Sequence, residues 1–299
     1  MYIHELAAIG AATCWALSGI ISANPSRTLG ALRFSSIRMV LVLGMLGIWV
    51  LASGGWQTLH AAQLPAALLS GVIGIFLGDA ALFATMNRMG PRRTGILFAM
   101  NAPMAVVLGW LFLDEQLSLR NGTGILLCIG GVLLAIVFGK RRSQIHQWES
   151  ISGSPWTGIA LGLGAALAQA TGALIVRPVM QTGADPATVS CLRVLAGVVC
   201  LNGLRYLLAR KPSQKPPVAL TPALLGQVAL SGFIAMALGM TLLLFGLAGG
   251  KVGIITTLSA MAPVILLPLL WLRTGEVPAA GAWIGAVLVV AGCGLIFNA

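Results

Sequence analysis

The stretch LPAALLSGVIGIFLGDAALFATM, Leu64 to Met86, decides the fold. At 1.5 Å per residue it is long enough to cross the roughly 30 Å of hydrocarbon in a bilayer, and Asp79 is its one charged side chain. Its landmarks return later in the chain: Leu69-Ser70-Gly71 as Leu230-Ser231-Gly232, and Leu77-Gly78 as Leu238-Gly239. Working outward, Ser35-Ser36-Ile37-Arg38 returns as Ser190-Cys191-Leu192-Arg193, Ala102-Pro103 as Ala262-Pro263, and Glu115 with Gly124 as Glu276 with Gly285. One order and nearly one spacing are kept throughout. The chain is a duplication, the arrangement in which secondary transporters rock two halves around a site between them.

The composition says what surrounds each copy. With 58% hydrophobic and 8% charged residues, the chain cannot be a pair of soluble domains, and its apolar surface faces lipid. Runs of spanning length fall at 3–23, 31–52, 64–86, 94–113 and 121–139, then at 156–179, 186–209, 221–248, 252–272 and 278–298. Backbone groups in lipid must be satisfied within the segment, so the runs are helices. The expected fold is an all-α integral membrane protein of ten transmembrane helices, arranged as an inverted five-plus-five repeat. The first run lacks a basic leader and carries Glu5, so it reads as a span rather than a cleaved signal. The five cysteines all sit in apolar runs and imply no disulfide framework.

A net charge of +11 would suit nucleic acid, but the basic residues are scattered in short loops beside apolar runs and carry topology instead. Arg27, Arg33, Arg88, Arg92, Arg93, Lys140, Arg141, Arg142, Arg205, Arg210, Lys211, Lys215 and Arg273 sort to one face. Arg120, Arg177 and Lys251 sort to the other. The rich face is expected to be cytoplasmic, with both termini on the outer side of an inner membrane. An odd number of spans per copy inverts the second copy relative to the first. The segment 140–155 is the expected linker between copies at 1–139 and 156–299, and 210–217, with three prolines, is a second exposed loop.

Asp79 is the one acid well inside a span, and an ionisable group at that depth is costly enough to be a functional candidate. It either binds a cationic group of a solute or carries a proton, or it is a structural acid satisfied by helix polar groups or by an arginine. Asn101 precedes Pro103, whose missing N–H frees a carbonyl and kinks the helix. Counting along the helices places Asp79 and Asn101 about 10–12 Å from the cytoplasmic face, with Trp15 near the same depth. Asn101 serves either a ligand or a neighbouring helix, and Trp15 either lines a cavity or packs. In the second copy Gln169 is the stronger pocket candidate. Thr257 and Ser259 are weaker ones, because such hydroxyls often return to the backbone of their own helix. Pro263 pairs with Pro103 as a second hinge. Arg38 and Arg193 lie about 10 Å inside helices of opposite direction, so they cannot grip one small solute together and read as structural or gating residues. Glu115 and Glu276 read as anions complementing the dipole of the next helix.

These residues together resemble the drug/metabolite transporter superfamily in its EamA-like form. The resemblance rests on five-plus-five spans, an arginine early in the second helix of each half, a glycine-rich third helix, Ala-Pro in the fourth and Glu before a glycine-rich fifth. Ala102-Pro103 through Asp114-Glu115-Gln116-Leu117 to Gly130-Gly131, and Thr274-Gly275-Glu276 leading to Gly285 and Gly292, carry it most closely. It implies a small-solute transporter whose central cavity is lined by the first, third and fourth helices of each repeat, with the fifth at the periphery.

An intramembrane enzyme is the rival from another class. The sequence lacks His-Glu-x-x-His, Gly-x-Ser-x-Gly and a Walker motif, and its three histidines stand apart. No cofactor and no metal are expected. The expected partners are a small-molecule substrate and the lipid bilayer, with protons as a candidate coupling ion and the chain acting as a monomer or weak homodimer. One acid, amides, hydroxyls and an indole suit an amino acid or related amphipathic solute better than a phosphorylated one, since no cationic cluster converges at mid-depth. Export is the expected direction. A multidrug or other-metabolite permease is the alternative within the superfamily.

Overall fold

The computed structural model describes residues 2–138, 154–208, 219–274 and 279–297. The expected linker lies almost wholly outside them, as do the loop 210–217 and Glu276. All regular structure among the described residues is helical. Helices α1 Ile3–Leu29, α2 Ala31–Ser53 and α3 Leu64–Ser70 open the first copy. A π-helical stretch, Gly71–Leu77, joins α3 to α4 Gly78–Ala99, followed by α5 Asn101–Leu113 and α6 Leu119–Phe138. The second copy repeats the order with α7 Pro155–Gln181, α8 Pro186–Leu208 and α9 Pro222–Gly232. A second π-helical stretch, Phe233–Gly239, leads to α10 Met240–Gly249, α11 Val252–Ser259, α12 Ala262–Thr274 and α13 Ala280–Phe297. Among the described residues six stretches are long and apolar enough to cross a membrane, and Leu97–Leu113, Leu119–Leu134, Val252–Leu266 and Ala280–Leu295 are shorter apolar helices.

Alanines are prominent in the interior, beside larger side chains such as Met39, Leu244 and Ile255. Ala8, Ala11, Ala12, Ala67, Ala105, Ala165 and Ala166 are fully buried, while Ile48, Trp49, Leu51, Trp110, Phe112 and Leu126 point outward. This follows from the solvent: lipid tails are as apolar as leucine, so helices associate by close packing of small side chains rather than by hiding large ones. The α6–α13 pair shows the geometry required. A Cβ on Gly131 would stand 2.5 Å from the Gly285 carbonyl oxygen, and one on Gly292 would stand 2.6 Å from that of Gly124.

Each copy lends its third helix to the other. The Gly71–Leu77 stretch packs against α7 and α8, and the Phe233–Gly239 stretch against α1 and α2. The contacts match. Ser70 Oγ donates to the Gly172 carbonyl at 2.6 Å, and Ser18 Oγ to the Ser231 carbonyl at 2.9 Å. Gly71 lies against the backbone of Arg193, and Gly232 against Arg38.

The fourth helix of each copy is broken. In the first copy the break is at Met100, and Pro103 is the third residue of α5; in the second it is at Ala260 and Met261, and Pro263 is the second residue of α12. Proline is tolerated there because the first turn of a helix has no intrahelical use for its N–H. The boundary between the third and fourth spans differs from expectation. Helix α4 runs through the basic segment around residue 90 and ends only at Ala99, because arginines mark where a chain meets water and do not stop helical hydrogen bonding.

Candidate transport pathway

The acid inside the third span has a partner. Asp79, on the first turn of α4 just beyond the π-helical stretch, lies with Oδ2 3.9 Å from Arg38 Nη2 on α2. Their side chains are 27% and 13% exposed, so the pair is screened incompletely and the contact is loose. The Arg38 guanidinium also stacks over the Phe34 ring at 5.1 Å, and its Nε has no hydrogen-bond partner. The structure gives Asp79 an arginine partner. The sequence held the clue, since counting residues puts Arg38 and Asp79 at the same depth from the same face.

Trp15 links the first helix to the other copy. Its Nε1 donates to the Ala235 carbonyl at 3.0 Å, within the Phe233–Gly239 stretch. A Cβ on Gly239 would stand 3.0 Å from the same nitrogen. The π-helical stretch itself had no sequence signal beyond its glycines and small side chains. A π turn leaves the backbone wider than an α-helix and is frequent at functional sites.

Asn101 is buried at the break between α4 and α5, and its Nδ2 donates to the Phe98 carbonyl at 2.8 Å. It ties down a carbonyl at the end of α4 that the break leaves free. The described contacts do not join Asn101 to Asp79 or Trp15. In the second copy Gln169 is half-buried on α7. Thr257 Oγ1 donates to the Gly253 carbonyl at 2.7 Å and Ser259 Oγ to the Thr256 carbonyl at 3.0 Å. Both hydroxyl protons are spent on their own helix, which leaves only lone pairs for a solute.

At the far end of the bundle from Arg38, a polar cluster joins the copies. Glu115 Oε1 accepts from the Val252 N–H at 2.8 Å and from Arg177 Nη2 at 3.1 Å. Arg177 Nε donates to the Gly250 carbonyl at 3.1 Å, and Lys251 Nζ to the Gln116 carbonyl. Glu115 therefore complements a helix dipole, but that of α11 in the other copy rather than that of α6, the next helix along the chain. Proximity in sequence suggested the wrong helix. The turn at Asp114, with φ 51°, folds the carboxylate back across the bundle.

A family model described as the EamA-like transporter family matches residues 3–137 and 156–298. A solved crystal structure resembles the fold with a TM-score of 0.79 at 17% identity, covering 98% of this chain and 95% of that one. No curated protein gives a significant match.

Proposed function

The chain belongs to the EamA-like transporter family, and on that premise we propose that it is a secondary transporter exporting amino acids or related amphipathic solutes by alternating access. The observation that carries this reading is the paired interruption of the backbone. Each copy has a π-helical stretch in its third helix and a break in its fourth, at matching positions. A helix without a continuous ladder of hydrogen bonds bends there at low cost. Broken helices that face each other across a repeat interface are where membrane transporters hold solutes. Asp79 and Asn101 stand beside the interruptions of the first copy, Trp15 of α1 against the π-helical stretch of the second, and Thr257 and Ser259 beside the second copy's break; Gln169 lies on α7.

The copies are inverted, the basic loops are cytoplasmic and both termini face outward, because basic residues stay on the side from which a span is inserted. The solute is moved by its own or a proton gradient, and Asp79 is the group that takes a proton. The test is counterflow in liposomes carrying the purified protein, over a panel of amino acids, sugars, sugar phosphates and cationic drugs. Accumulation of amino acids with no response to sugar phosphates is the expected result. Uptake of sugar phosphates alone would replace this reading.

A further inference from the structure

Arg193 is the largest fully buried side chain among the described residues, at 0% exposure. Among the described residues no carboxylate lies within salt-bridge distance; its Nη1 reaches only the Met240 thioether sulfur, at 3.3 Å, and its Nε has no hydrogen-bond partner. The duplication makes the omission specific. Arg193 is the second copy's Arg38 and Met240 is its Asp79, so the ion pair of the first copy recurs with the acid replaced by a thioether. A buried charge without a partner is a large penalty, and a fold that carries one has a use for it.

We propose that the Arg193 guanidinium receives the carboxylate of the transported solute, in the place that Asp79 occupies in the first copy. The inference rests on the amino-acid reading of the function. Nη1, which meets the Met240 sulfur, and Nη2 form the end edge of the guanidinium, and that edge binds a carboxylate through two parallel hydrogen bonds. A single guanidinium suits a monoanion, whereas a phosphate would call for further cations. The surroundings can yield. Met240 is unbranched and changes rotamer readily, and opposite it stands the Gly71–Leu77 stretch, where a Cβ on Gly74 would lie 3.0 Å from Arg193 Nη2. Displacing the Met240 thioether is the step that clears Nη1 for a carboxylate.

The test uses the full-length protein in detergent, with thermal unfolding measured against acetate, leucine, leucinamide, acetamide and chloride, and leucine counterflow measured in liposomes. The expected result is a saturable rise of several degrees with acetate and leucine and none with leucinamide, acetamide or chloride. Met240→Asp, which restores the first copy's ion pair, raises the basal unfolding temperature, abolishes the shifts and lowers leucine counterflow at least tenfold. Arg193→Met removes the uncompensated charge, so it keeps or exceeds wild-type stability and also loses the shifts. An Arg193→Met variant much less stable than wild type would assign Arg193 a purely structural role, and an equal response to chloride would make the site one for inorganic anions. Either overturns the proposal. Leucine counterflow that proceeds normally in Met240→Asp overturns it while leaving the transporter reading intact. Acetate shifts that vanish in Met240→Asp, with no amino acid moved by the wild type, keep the carboxylate site and reject amino acids as the solute.

Discussion

Asp79 and Arg38 make each other tolerable inside the bundle, and the sign of that statement can be measured. Removing one partner of a buried pair strands the other, at about 3–5 kcal/mol when burial is complete. The partial exposure of both side chains and the 3.9 Å separation reduce the expectation to about 1–3 kcal/mol. Asp79→Asn should therefore unfold at a lower temperature than wild type and lose transport. The pair Arg38→Met with Asp79→Leu should recover most of the stability and none of the transport. A single variant as stable as wild type would show that water already satisfies Arg38. At this scale the sequence told which side chains were unusual, because an acid or amide in an apolar run stands out. It did not tell their partners. Asn101 turns back to Phe98 and Trp15 reaches across to Ala235, and neither direction follows from depth, since depth fixes one coordinate of three.

Elements carry the next constraints. The α6–α13 contact is set by glycines whose Cβ positions are already occupied by carbonyl oxygens, so Gly131→Leu should separate the two helices and cost more than the about 1–3 kcal/mol typical of overpacking. Gly130→Leu on the same helix, where a Cβ meets nothing within 4 Å, should be nearly neutral. Thermal unfolding of both variants checks the contrast. Equal effects would mean that the loss reflects helix propensity rather than contact. The Glu115 cluster makes a second prediction: Glu115→Ala orphans the Val252 N–H and takes the carboxylate from Arg177, whose Nε keeps only the Gly250 carbonyl, which costs about 2–4 kcal/mol. Glu115→Gln keeps an acceptor for Val252 and should lose less. The proline positions made the broken fourth helices legible, but the π-helical stretches were not, since glycine and alanine in a span specify closeness of approach and not the hydrogen-bond period.

At the scale of the whole molecule, duplication was the most legible property, because matching landmarks survive in order even where most residues have changed. The exchange of third helices between copies was not legible, since a repeat in sequence does not say which copy its partners come from. Sidedness is tested by reporter fusions: a reporter active only outside the cytoplasm should work after Ala299 and be silent after Arg142, and a silent C-terminal fusion would reverse the proposed orientation. The central claim is that the broken helices of the two copies open alternately to opposite faces. Its most direct test places single cysteines at Asn101 and Ser259 in a cysteine-free background and measures labelling by impermeant thiol reagents from each side of the membrane. The account predicts that the two positions react from opposite sides and that a transported solute shifts the balance between them. Labelling of both positions from one side, unchanged by solute, would contradict it.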